Sequence, residues 1–166
     1  MSLEKSGISI KELKKILKHN YNIIGSIDRL DGEIDYNFRV HSLNDIKYLL
    51  KISRSDFNSD YIDYQVKLLD HLNKDCNIEL ASNIRTIEGE QFCIIEDSFG
   101  NNRCIRLLTW IEGRLWSSVN PIEKTLRIDL GSKTALISKS LQKFKHPFSK
   151  RKIDWDISNS LWVEEH

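Results

Sequence analysis

The sequence predicts an α+β fold in which a small antiparallel sheet surrounds one internal helix and a mostly helical part follows. Shifts of hydrophobic period along the chain point to it. After a short opening helix, apolar residues run in strand fashion from residue 21 to 52, take a spacing near 3.6 over residues 59–73, and return to strand-like runs as far as residue 110. Beyond residue 120 the helical spacing dominates. Strands gathered around a single helix do not fit a repeated βαβ arrangement.

Ser9 and Glu12 open the first helix, because a hydroxyl and a carboxylate at this spacing satisfy two backbone donors freed at a helix start. Leu13, Ile16 and Leu17 give it an apolar face to about His19. A strand-like run over 21–30 breaks at Asp31 and Gly32 and resumes over 36–41, where Phe38 and Val40 alternate with Asn37, Arg39 and His41; the two runs read as a hairpin. A third strand, 46–52, follows a polar turn at 42–45. In the helix 59–73, Ile62, Val66, Leu69 and Leu72 share a face while Asp60, Asp63, Lys67 and Asp70 turn away from it. Further strands are expected over 83–87, 91–97 and 104–110, for about five or six in all. Asn120 and Pro121 read as the N-cap and first residue of a long helix carrying Ile122, Leu126, Leu130, Ile137, Leu141 and Phe144, with Gly131 its weak point.

The chain of 166 residues suits one domain, or one compact lobe with part of a second. With 25 Lys and Arg against 24 Asp and Glu, it lacks the basic excess that nucleic-acid binding requires. Cys76, Cys93 and Cys104 have no metal-ligand spacing, which fits reduced thiols in the cytoplasm, most simply as buried small hydrophobes. No apolar stretch approaches the roughly 20 residues of a membrane span, so a soluble protein is expected.

Strand alternation places Lys47, Leu49 and Lys51 on one face of the third strand and Tyr48, Leu50 and Ile52 on the other. Lys51 either extends to water, as most lysines do, or turns toward the helix that follows. There Gln65 stands between Ile62 and Leu69, where a buried amide without a partner costs about 1–3 kcal/mol. Its oxygen is placed to accept from the Lys51 ammonium or, alternatively, to bond backbone or solvent at the helix edge.

Four segments resemble the aminoglycoside phosphotransferase-like kinases, and most closely their hydroxylysine kinase branch. They are Leu30-x-Gly32-x-x-x-x-Asn37-Phe38-Arg39-Val40, Tyr48-x-Leu50-Lys51-Ile52, Arg106-Leu107-Leu108-Thr109-Trp110-Ile111-x-Gly113, and His146-Pro147-x-x-Lys150-Arg151-x-x-x-Trp155-Asp156. The resemblance, running from about Ile24 to Asn159, implies a protein-kinase-like small lobe with one packed helix over residues 1–110, then a linker and the first helices of a large lobe over 111–166. It makes Lys51 the lysine that neutralises nucleotide α- and β-phosphates. Gln65 falls where related kinases carry the glutamate that positions this lysine. The turn 31–37 matches the phosphate-covering loop, with only Gly32 where protein kinases have three glycines, so it depends more on Asn37 and backbone N–H groups. Thr109, Trp110 and Ile111 match the inter-lobe linker whose backbone holds the base. Val40 and Leu49 are expected to share the inner side of the sheet and pack on the base, with ordinary core as the other reading. Trp110 and Trp116 are more simply packing residues.

A kinase also needs a catalytic aspartate and Mg²⁺ ligands. No His-x-Asp loop followed by Asn and a second acidic motif is present, and Asp154 and Asp156 match a structural segment. The chain is therefore expected to be part of a longer phosphotransferase that moves the γ-phosphate of ATP or GTP, with Mg²⁺, to the hydroxyl of a small amine-bearing compound. A noncatalytic kinase-like binding module and an unrelated α+β domain with an exposed Lys51 stand beside that reading. An exposed inter-lobe surface would favour a homodimer.

Overall fold

A computed structural model describes residues 6–150. Arg151, Asp154, Trp155 and Asp156 lie outside the described residues. Helix α1 (Ile10–Tyr21) precedes strands β1 (Gly25–Leu30), β2 (Tyr36–Ser42) and β3 (Lys47–Ile52). Helix α2 (Ser59–Asp75) follows, then β4 (Asn83–Ile84), β5 (Cys93–Glu96), β6 (Asn102–Thr109) and helix α3 (Lys124–Leu141). Among the described residues the six strands form one antiparallel sheet in the order β1-β2-β3-β6-β4, with β5 sharing the outer edge of β6.

The expected capping box starts α1: Ser9 Oγ accepts from the Glu12 N–H while Glu12 Oε2 accepts from the Ser9 N–H at 2.7 Å. Leu13, Leu17 and Tyr21 then lie on one stripe and are buried. They pack with Ile8 against Phe38, Val40, Leu50, Ile52, Ile105 and Leu107, the alternate residues of β2, β3 and β6. The opening helix thus supplies the helical side of the main core, in addition to the internal helix that the sequence singles out. Tyr21 ties the two layers together by donating its hydroxyl to the Ile105 carbonyl at 3.3 Å. Close packing also dictates Gly25, where any Cβ would run into the His41 carbonyl of the paired strand.

Strand pairing corrects one expectation. Val40 stands opposite Tyr48 and Leu49 opposite Arg39, so Val40 and Leu49 point to opposite faces of the sheet. Because paired residues share a face and the side-chain period is two, Val40 falls with Phe38 and Leu50 in the α1 core, fully buried. The opposite face carries Asn37, Leu49, Lys51 and Arg106. Helix α2 is reached from that face through Arg106, and buries Ile62, Val66 and Leu72.

Asn120 does not cap α3. The helix starts at Lys124 with Glu123 as its N-cap residue, and the Asn120–Pro121 peptide bond is cis. Of the expected stripe, Leu126, Ile137 and Leu141 are half-buried on the helix and Leu130 is exposed, while Ile122 and Phe144, both half-buried, lie outside it. The chain after α3 returns to α2, where Phe144 and His146 pack on the Tyr64 ring and His146 Nε2 meets Asp63 Oδ2 at 3.1 Å.

All three cysteines are free, and burial pushes the Cys104 thiol up to about 12. Among the described residues no helix is long and apolar enough to cross a membrane.

Candidate functional site

The polar centre of the sheet lies where β2, β3 and β6 run side by side. Asn37, Lys51 and Arg106 are cross-strand partners in adjacent strands and therefore point to one face. Lys51 is partly buried and donates from Nζ to Asn37 Oδ1 at 2.8 Å. Its ammonium also stands 3.2 Å from Asp35 Oδ2. The same carboxylate oxygen lies 3.7 Å from the Arg106 guanidinium, whose side chain is only 4% exposed.

Asp35 comes from the loop that joins β1 to β2. That loop folds tightly on itself: Asn37 Nδ2 donates to the Asp31 carbonyl at 3.4 Å, and a side chain at Gly32 would collide with the Asn37 amide and the Asp35 carbonyl. Gly32 is thus required by close approach, with no left-handed backbone involved. Beyond the loop lies a cavity of about 310 Å³ whose walls include Gly32, Ile34, Asp35, Arg54 and Arg103.

Gln65 takes a different partner from the expected one. Its Oε1 accepts from the Arg106 guanidinium, and Lys51 pairs instead with Asn37 and Asp35. The reason is charge: a buried guanidinium needs acceptors more than an ammonium whose alternatives are at hand. The result is a chain of contacts from α2 through Gln65, Arg106 and Asp35 to Lys51. It holds two cations, one carboxylate and one neutral amide.

Sequence reasoning does not single out Asp35 or Arg106 as members of this cluster. Asp35 sits in a turn, where no periodicity marks which way a side chain points. Arg106 carried a signal, since a charge inside the apolar run 104–108 must be buried and paired.

The remaining candidates fall at the other end of the same strands. Leu49 is half-buried on the Lys51 face, while Val40 belongs to the α1 core. Thr109 does not have a free backbone donor, because its N–H bonds the Ser82 carbonyl at 2.9 Å and its hydroxyl accepts from the Ser82 N–H. Trp110 and Ile111 follow the strand end, half-buried and exposed. This segment is anchored back to β3 by Lys47, which donates to Glu112 Oε1 and so holds that carboxyl below its ordinary range. Trp116 lies further on, in a 3-10 turn, partly exposed. Among the described residues no group of three or more His, Cys, Asp or Glu side chains is placed to hold a metal ion.

No protein-family model matches the chain, and no curated protein matches it either. Solved structures do. The amicoumacin kinase hAmiN, in complex with AMP-PNP, Ca²⁺ and Ami, aligns with 100% of this chain and 50% of its own at a TM-score of 0.76 and 19% identity. A microcompartment-associated aminopropanol kinase aligns over 89% of this chain and 45% of its own, at a TM-score of 0.69 and 16% identity. The chain spans about half the length of the solved structures it matches. Together these likenesses show the fold to be α+β, with the sheet and helices of a kinase-like small lobe.

Proposed function

We propose that this chain is the nucleotide-binding lobe of an aminoglycoside phosphotransferase-like kinase. The observation that carries this is the meeting of Lys51 with the 31–37 loop. A lysine on the third strand, drawn under a glycine-containing turn by Asn37 and Asp35, is the arrangement that nucleotide phosphates need: a charge on a flexible stem below a loop of backbone donors. Both solved neighbours are named as kinases, and one holds AMP-PNP with Ca²⁺.

In this reading ATP or GTP lies along the Lys51 face, with Lys51, Gly32 and Asn37 at the phosphates, Leu49 against the base, and Trp110 and Ile111 offering backbone groups to its edge. Gln65 acts through Arg106, and Thr109 and Val40 shape the lobe from behind. The acceptor is the hydroxyl of a small amine-bearing compound, as in the hydroxylysine kinase branch. Its oxygen forms a bond to the γ-phosphorus as the bridge to the β-phosphate breaks, the nucleoside diphosphate leaves, and the hydroxyl proton passes to a base. That base and the Mg²⁺ ligands would be supplied by other residues of a longer protein. Three free cysteines fit a reducing cytoplasm.

Calorimetric titration with ATP and with GTP, each with Mg²⁺, tests the reading. Saturable binding is expected in the wild type, weakened at least about tenfold by Lys51→Ala, since a charge-assisted contact to phosphate is lost. A folded wild type that binds neither nucleotide would refute it. That result would favour a noncatalytic module, to which the neutral Gln65 in place of an acid already points.

A homodimer is also part of the proposal. Ile128, Leu130 and Leu136 of α3 are exposed by 49–58% on different sides of the helix, and a surface meant to meet a large lobe would favour association where it stays uncovered. Light scattering should give a mass that rises toward twice the monomer's with concentration; a constant monomer mass would remove the dimer.

A further inference from the structure

We infer that Arg106 is a second phosphate-binding cation beside Lys51, and that Asp35 is an internal stand-in for phosphate which the bound nucleotide displaces. The inference rests on the nucleotide-binding reading of the Lys51 face and gives Arg106 and Asp35 roles toward phosphate that the reading does not assign them.

The geometry starts with one oxygen. Asp35 Oδ2 lies 3.2 Å from Lys51 Nζ and 3.7 Å from the Arg106 guanidinium, so a single anionic oxygen serves two cations on neighbouring strands. This is how a phosphate oxygen would be held by the same pair. Register fixes the backbone spacing of the pair, because Lys51 and Arg106 are direct cross-strand partners at the centre of the sheet. Arg106 is further fixed by donating to Gln65. The carboxylate, by contrast, arrives on a loop outside regular secondary structure.

Charge favours displacement. Lys51 and Arg106 contribute two positive charges, Asp35 one negative and Gln65 none, leaving the cluster with a net positive charge. A glutamate at position 65 would have neutralised it; the amide leaves Arg106 fixed in position and its charge available. A polyphosphate carries more negative charge than a carboxylate and offers several oxygens, so it competes for both cations at once. A displaced Asp35 also has somewhere to go. The cavity beyond the loop is walled by Asp35 itself together with Glu33, Arg29 and Arg54, the last paired at 3.4 Å with exposed Asp56, and Arg29 is the cation that would receive the carboxylate on that side.

Titrations with inorganic tripolyphosphate and, in parallel, with ATP and Mg²⁺ test this on the chain as it stands, using the wild type, Asp35→Asn and Arg106→Lys. Asp35→Asn keeps the shape and removes the competing charge, and far-ultraviolet circular dichroism verifies the fold of each variant. The expected result is tripolyphosphate binding at least about fivefold tighter in Asp35→Asn than in the wild type, as loss of an ion pair worth near 1 kcal/mol to the unbound protein requires. Arg106→Lys, which keeps charge but loses the fixed fork, is expected to bind it more weakly. ATP should follow the same order. Equal or weaker tripolyphosphate binding by a folded Asp35→Asn would overturn the inference while leaving nucleotide binding by the wild type intact. Tightened tripolyphosphate binding with no ATP binding in any variant would uphold the two-cation clamp and refute the nucleotide reading. No binding of either ligand by any variant would overturn both.

Discussion

Phe38→Ala will destabilise the protein by about 3–5 kcal/mol, the largest effect expected of any single truncation in the core. Phe38 is 1% exposed and is the largest fully buried side chain among the described residues. It lies on β2 between the α1 stripe and the β3 and β6 residues Leu50, Ile52, Ile105 and Leu107. Removing the ring takes away its transfer free energy and leaves a cavity that backbone pairing on both sides of β2 keeps from collapsing. Urea unfolding should show a lower midpoint at an unchanged slope. A loss under about 1 kcal/mol would mean that α1 is not seated on the sheet as described.

Acid will also weaken the fold, through Asp97. Its side chain is fully buried at the end of β5, where burial alone would raise the carboxyl. The N–H groups of Asn101 and Phe99, each at 2.9 Å, and the Arg103 guanidinium at 2.7 Å more than reverse that and hold it at about 2. A carboxyl whose folded value lies below its ordinary 3.8 binds protons more readily when unfolded. The stability it provides is therefore complete above about pH 4 and is lost as the pH falls toward 2. Asp97→Asn should be less stable than the wild type near neutrality, and the two unfolding curves should converge as the pH approaches 2. Asp63, Asp75 and Glu112 are also held low but remain in both proteins, so the difference isolates Asp97. A difference that does not change with pH would show that Asp97 does not titrate as the structure implies.

Much of this fold is legible in the sequence because its local signals agree with its packing. The alternation of Phe38 and Val40 with Asn37 and Arg39, the Ser9–Glu12 box and the helical spacing of Ile62, Val66 and Leu72 each reflect one buried face. Legibility fails where the deciding term is not local. The strand expected at 83–87 pairs only at Asn83 and Ile84, because Thr86 leaves the sheet to bond Glu90 in a turn. Resemblance sets Val40 beside Leu49, and only the β2–β3 register reveals that they face opposite ways. The site shows the same division. Lys51, Asn37 and Gly32 come from segments that can be read along the chain, and they lie together, whereas the partner of Gln65 depends on a charge from a strand 41 residues away. Asp35 joins them because the turn aims it inward, and turns have no period to read.

One feature of the sheet bears on how the protein is made. Strand β3 does not pair with β4 or β5, which follow it in the chain, but with β6, and β4 and β5 both depend on β6 for their hydrogen bonds. As the chain leaves the ribosome, the first three strands form a meander whose β3 edge stays open until residues 102–109 emerge. Lys51 and Arg106 are brought together only by that last strand. A nascent chain arrested before Asn102 would thus present an edge open to chaperones or to other copies of itself, and the phosphate face would come into being in the same step that closes the sheet.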